Sequence, residues 1–234
     1  MIDFQEFEVL SFDCYGTLID WESGILSALK PILSSHGINL SNQDILERFA
    51  QQESFHEAGD YLKYRTVLEN VVQDFGQALG FDPTEVEVKS LAESIREWQP
   101  FPDTIQALKA LKKRYKLTII SNVDDELFAY SAQKLEVDFD WIITAEQVKS
   151  YKPSLQNFEV AIERMGIAPE KLLHVAQSLY HDIVPAKSMG LATVWVNRRK
   201  GQEGFGATVP ASASPDLEVP DLKSLVSLMG GEDC

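Results

Sequence analysis

The stretch Ser11-Phe12-Asp13-Cys14-Tyr15-Gly16-Thr17-Leu18 decides how this chain is read. Apolar residues end on a lone carboxylate and the chain then turns at Gly16, the pattern of a buried strand running into a loop. In an open α/β sheet the carboxyl ends of the strands frame the ligand crevice. A strand that delivers Asp13 there puts an anionic oxygen within reach of a substrate. An Asp before a Gly turn can equally do no more than cap that turn, so the decision falls to the rest of the chain.

Downstream, Leu117-Thr118-Ile119-Ile120 runs into Ser121-Asn122. Tyr151-Lys152-Pro153 comes next, and Ser178-Leu179-Tyr180-His181-Asp182-Ile183 closes the series. These motifs, in this order and across nearly the whole chain, resemble those of the haloacid dehalogenase superfamily. The resemblance implies a Rossmann-like core with Asp13 as nucleophile and with Lys152 and Asp182 as its catalytic partners. An ammonium about 4 Å from a carboxylate is worth about 4 kcal/mol at intermediate dielectric. Lys152 is therefore expected to keep Asp13 ionised and lower its pKa by roughly 1 to 3 against the upward push of burial.

The residue pattern supports the same architecture independently. After the first motif, Ile25, Leu26, Leu29, Ile32 and Leu33 recur at helical spacing. Ser41-Asn42-Gln43-Asp44 reads as a helix N-cap, Tyr61 to Phe75 as a third helix, and Leu91, Ile95 and Trp98 as a fourth. Residues 20–99 thus form a helical cap inserted after the first strand, closed off by Pro100-Phe101-Pro102. Beyond it, helices near 103–115, 126–135 and 157–165 alternate with strands at 117–121, 141–144, 172–176 and 192–196. That is the signature of βαβ units, so residues 1–19 and 100–234 are expected to form one α/β core with a parallel sheet. Residues 207–220, rich in Ala, Ser and Pro, read as an irregular surface segment before a last helix.

Composition excludes more than it selects. With 36 acidic against 21 basic residues the formal net charge is −15, which argues against nucleic acid as a partner. No stretch approaches the roughly 20 apolar residues of a membrane span, and the acidic start Met1 to Glu6 lacks a secretion signal. The expected location is the cytoplasm. Cys14 and Cys234 form no metal-binding spacing or disulfide framework, and Cys14 reads as a buried filler. The four histidines show no metal spacing either. Trp98, Trp141 and Trp195 fall on apolar faces and read as core.

Two departures narrow the chemistry. The magnesium phosphatases of the superfamily carry a second acidic residue two positions after the nucleophile, and another in the fourth motif to hold the metal. Here those positions are Tyr15 and Gln177. A hard divalent cation prefers charged oxygens, so the expected cofactor is none. The Asp-x-Tyr variant resembles the metal-independent 2-haloacid dehalogenase branch (type II). In that branch the aspartate attacks the 2-carbon, expels halide and leaves an ester for water to hydrolyse. Tyr15, Thr17, Ser121, Asn122, Ser178 and Phe158 are the residues the resemblance assigns to the binding shell.

The branch also clamps the substrate carboxylate with an arginine, where this chain reads Asn39-Leu40-Ser41-Asn42-Gln43-Asp44. Arg48 and Arg65 on the insert are the available substitutes. With Cys14, Asn157-Phe158 and Ser178 to Asp182, the altered shell makes the chain similar to members that include azetidine-2-carboxylate hydrolase. The expected function is hydrolysis of a carbon–halogen or analogous carbon–heteroatom bond in a small 2-substituted carboxylic acid, with a homodimer implied by the resemblance. Two alternatives remain: a magnesium-dependent phosphatase of small monoesters, and a non-catalytic binding module.

Overall fold

In the computed structural model, which describes residues 2–230, six strands form one parallel sheet. They are β1 (Val9–Phe12), β2 (Lys116–Ser121), β3 (Trp141–Thr144), β4 (Leu172–Ala176), β5 (Ala192–Val196) and β6 (Leu217–Val219), arranged in the order β3-β2-β1-β4-β5-β6. The order reverses at β1, and in such sheets the crevice beyond the strand ends at that point is where ligands bind. The α/β class expected from the sequence is the one observed.

Side-chain alternation along β1 splits the core. Leu10 and Phe12 belong to the larger apolar cluster, while Val9 packs on the opposite face with Ile120, Phe158 and Leu172. On the core side of the chain, α5 (Thr104–Lys112), α6 (Asp125–Leu135), α7 (Ala145–Val148), α8 (Gln156–Met165), α9 (Val184–Ser188) and α10 (Leu222–Leu228) cover the sheet.

Four helices fill the interval between β1 and α5. They are α1 (Trp21–Ser35), α2 (Asn42–Glu57), α3 (Tyr64–Leu79) and α4 (Glu85–Ser94). Their ends are set locally. Asp20 accepts from the Ser23 amide to start α1, and Ser41 accepts from the Asp44 amide to start α2, as its motif suggested. Thr84 and Glu87 complete a capping box at α4, and Gly80, left-handed at φ 78°, ends α3.

The segment after β5 departs from the sequence reading. Residues 207–220 were expected to be an irregular surface stretch, yet Ala207 and Thr208 are buried and β6 extends the sheet beside β5. Three residues with Glu218 in the middle are too short to show a strand period, and only pairing with β5 fixes them. Trp98 is buried as expected, but Trp141 and Trp195 are half-buried, and the Trp195 Nε1–H donates to the Gln177 carbonyl at 2.8 Å. Cys14 is a buried free thiol, and Cys234 lies outside the described residues.

Candidate active site

Asp13 follows β1, Lys152 lies in the turn after α7, and Asp182 sits in a single π-helical turn, Leu179–Ile183, after β4. The switch in strand order brings their side chains together. The Lys152 ammonium is 1% exposed and donates to Asp13 Oδ1 at 2.9 Å, to Asp182 Oδ1 at 2.7 Å and to the Ile120 carbonyl at 2.9 Å. All of its N–H donors are thereby used.

Asp13 is held from its other oxygen as well. The Thr17 hydroxyl donates to Asp13 Oδ2 at 2.7 Å and accepts from the Gln177 amide at 2.9 Å. The turn between them requires Gly16 at φ 91°, where a Cβ would stand 2.9 Å from the Trp21 indole nitrogen. Asp182 is steadied through a chain that starts behind the sheet. The His174 Nε2–H donates to Asp182 Oδ1 at 2.9 Å, leaving Nδ1 to accept from the Ser11 hydroxyl at 2.8 Å. Asp182 Oδ2 has no partner among the described residues.

Other expected site residues divide into those on the cavity and those away from it. Tyr15, Ser121, Asn122 and Ser178 line the same cavity as the triad. The Tyr15 hydroxyl is paired with the Ser131 hydroxyl at 2.9 Å, and Tyr15 forms part of the cavity wall. Asn122 is not a spare amide either. It accepts from the Lys152 backbone N–H at 2.7 Å and donates to the Lys152 carbonyl at 2.9 Å, bracing the turn that carries the ammonium.

Phe158 does not reach the cavity. It is fully buried on the far face of the sheet, edge-on to the His174 ring at 5.0 Å. Of the two insert arginines, Arg48 is exposed, and Arg65 lies 3.6 Å from Glu126 at the surface. Neither lines this cavity.

A family model for haloacid dehalogenase-like hydrolases matches residues 7–190. The chain belongs to that family. Haloacetate dehalogenase H-2 of Moraxella sp. (strain B) is 29% identical over 231 residues, covering 96% of this chain and 99% of the relative. An (S)-2-haloacid dehalogenase of Pseudomonas fluorescens is 27% identical over 199 residues, 81% of this chain and 84% of that one. In structure, the L-2-haloacid dehalogenase from Xanthobacter autotrophicus superposes with a TM-score of 0.80 at 21% identity, covering 96% and 98% of the two chains.

The electrostatics of this haloacid dehalogenase-like hydrolase differ from the simple expectation for Asp13. Burial is the largest influence on Asp13 and raises its pKa. Lys152 pulls the other way, and the Asp182 charge reinforces the rise. Asp182 is the carboxylate that ends below its ordinary range. Burial pushes it up, but Lys152 and the His174 hydrogen bond outweigh that push. One ammonium shared between two carboxylates cannot lower both by the full amount of an isolated pair.

A divalent cation does not fit this arrangement. Lys152 occupies the space between the two acids, and neutral Tyr15 and Gln177 stand where further anionic ligands would be required. Among the described residues no group of three or more His, Cys, Asp or Glu has metal-holding geometry.

Sequence reasoning missed the part of the wall that α2 and α3 contribute. Glu53, Glu57 and Tyr64, with Trp21, His181 and Thr208, face the cavity. The Tyr64 hydroxyl donates to Glu53 Oε1, and Glu57 Oε2 accepts from the Asn122 amide at 3.1 Å. Burial pushes Glu53 up to about 8 and raises Glu57 well above the carboxylate range, while His181 is pushed down to about 4 and is neutral at pH 7. The available signal was the i, i+4 spacing of Glu53 and Glu57, which puts both on one helix face.

Proposed function

We propose that this hydrolase breaks a carbon–halogen or analogous carbon–heteroatom bond in a small 2-substituted carboxylic acid, without a metal, through an ester on Asp13. The observation that carries this reading is the Lys152 ammonium bonded to both Asp13 and Asp182. It supplies the positive charge that a metal would otherwise provide, and it orients one carboxylate oxygen while Thr17 orients the other. Similarity to named dehalogenases supports the same chemistry.

In the first step an Asp13 oxygen forms a bond to the substrate carbon as the leaving group departs with the bonding electrons. In the second, water attacks the Asp13 carbonyl carbon, and product leaves with the oxygen that Asp13 contributed. Asp182 Oδ2 has no partner among the described residues and is suited to take the proton from that water, while His174 and Lys152 fix the other oxygen. The insert, residues 20–99, acts as a cap over these steps. The cavity measures about 30 Å³, room for one or two waters, so a carboxylic acid of several heavy atoms calls for the insert to move away from the core. The expected compartment is the cytoplasm.

The test is a single turnover in heavy-oxygen water followed by digestion. Label in the peptide that bears Asp13 is the expected result, and product formed without label overturns the ester. A panel of 2-haloacids, azetidine-2-carboxylate and phosphate monoesters, each assayed with chelator and with magnesium, separates the alternatives. Halide or ring-opened product that persists in chelator is expected. Phosphate release that chelator abolishes would make the chain a phosphatase instead.

A further inference from the structure

On the far face of the sheet Val9, Ile120, Phe158 and Leu172 pack together, and Ser11 and His174 are fully buried beside them. Ser11 and His174 stand opposite each other in the parallel pairing of β1 with β4, so the register of the sheet sets their contact. Buried polar side chains are costly to desolvate and are kept where their hydrogen bonds are made. Here the bonds run from β1 through β4 to the site. The Ser11 hydroxyl donates to His174 Nδ1 at 2.8 Å, which commits the ring proton to Nε2, and the Nε2–H donates to Asp182 Oδ1 at 2.9 Å. Phe158 packs edge-on against the same ring at 5.0 Å.

The demand on this chain of contacts changes between the two steps of the reaction. In the resting site the Lys152 ammonium divides its attraction between Asp13 and Asp182. Once an Asp13 oxygen has spent an electron pair on the bond to carbon, its side chain is a neutral ester, and the attraction falls to Asp182. A carboxylate held by that ammonium alone is free to turn and offer it both oxygens, which takes Oδ2 away from water. His174 prevents the turn. Its N–H reaches Oδ1 from β4, whereas Lys152 reaches the same oxygen from the turn after α7. Two donors on Oδ1 from separate elements fix the carboxylate and leave Oδ2, which has no partner among the described residues, free for water.

We propose that His174, with its ring proton placed by Ser11, is a positioning residue for the second step alone, keeping Asp182 aimed at the hydrolytic water after Asp13 has lost its charge. This role rests on Asp13 being the residue that forms the ester. In that step the water oxygen bonds to the Asp13 carbonyl carbon and gives a proton to Asp182 Oδ2. The bond from that carbon to the product oxygen then breaks, the product oxygen takes the proton from Asp182, and the second water proton is lost as Asp13 returns to a carboxylate. Ester formation needs Asp13 ionised and Lys152 in place, and neither depends on His174.

Two polar substitutions separate this role from packing. The amide nitrogen of glutamine reaches about as far as Nε2 and can still donate to Asp182, whereas that of asparagine reaches only as far as Nδ1. With 2-bromopropionate and azetidine-2-carboxylate as probes, the full chain and both variants are quenched in acid at successive times, and the mass of the intact protein follows the ester. His174→Asn should form the ester within about twofold of the native rate and lose it at least about tenfold more slowly. His174→Gln should lose it within about threefold of the native rate. In steady state kcat and KM of His174→Asn should fall together while kcat/KM holds, because kcat/KM counts only the steps up to ester formation. Ester formation slowed as much as ester loss makes His174 a support of the fold and overturns the proposal, and so does ester loss that is alike in the two variants. No ester from either probe at any time, in any of the three chains, defeats the reading of Asp13 and this role with it, so the two failures are told apart.

Discussion

At the scale of single residues, the charge state of Asp13, the proposed nucleophile, is set by competition between burial and one ammonium. Asp13 can attack only as a carboxylate, and its pKa is raised above the ordinary 3.8. Activity is therefore present above the raised value and lost as pH falls through it. The acid limb of kcat/KM, which reports the free enzyme, should lie above the usual aspartate range. A limb at or below 3.8 would mean that Lys152 outweighs desolvation. Asp13, Lys152 and Asp182 could be picked out in the sequence because the motifs around them resemble those of the family. The sign of the Asp13 shift was not legible there, because it depends on Lys152 serving a second carboxylate that lies far away along the chain. Phe158 shows the same limit. Its position after Lys152-Pro153 suggested a binding residue, whereas its side chain packs behind the sheet against His174.

At the scale of elements, α2 carries a conflict between stability and site. Its Ile45, Leu46, Phe49 and Ala50 are buried as an amphipathic helix requires, and the same helix also buries Glu53. Glu53 titrates at about 8 in the fold against 4.5 for the ordinary group, so between those values the folded chain holds a proton that the unfolded chain has released. Folding stability contributed by this group therefore falls as pH rises from 4.5 towards 8. By linkage the loss has a ceiling of about 5 kcal/mol. Glu53→Gln keeps the Tyr64 contact and removes the titration. Its Tm should exceed that of the native chain at pH 8 and converge with it near pH 4.5. A constant offset at every pH would show that Glu53 does not titrate in this window. The helix was readable from its apolar spacing and from the Ser41 cap, but the burial of Glu53 was not, because it depends on distant residues, Tyr64 and Asp13 among them.

At the scale of the whole molecule, the reversal of strand order at β1 gathers a triad from three separate parts of the chain. Lys152 ties the end of β1, the carbonyl of Ile120 in β2 and the turn after β4 into one buried network. Removing the ammonium strands two buried carboxylates, the situation in which one lost partner costs most. Lys152→Met should destabilise the fold by about 3 kcal/mol at pH 7 in urea unfolding. The loss should shrink towards pH 5 as the stranded acids take up protons. An unchanged urea midpoint would show that the network serves chemistry alone. The sequence by itself determined the α/β class, the helices that follow β1 and the alternation of helices with strands β2 to β5, because these follow from local periodicity and caps, while the motif carboxylates were picked out by their resemblance to the family. Only the tertiary structure decided the pairing of β6, the burial of Glu53 and Glu57 above Asp13, and the balance of charge around Lys152, because desolvation and hydrogen-bond sharing depend on which distant residues close around a group.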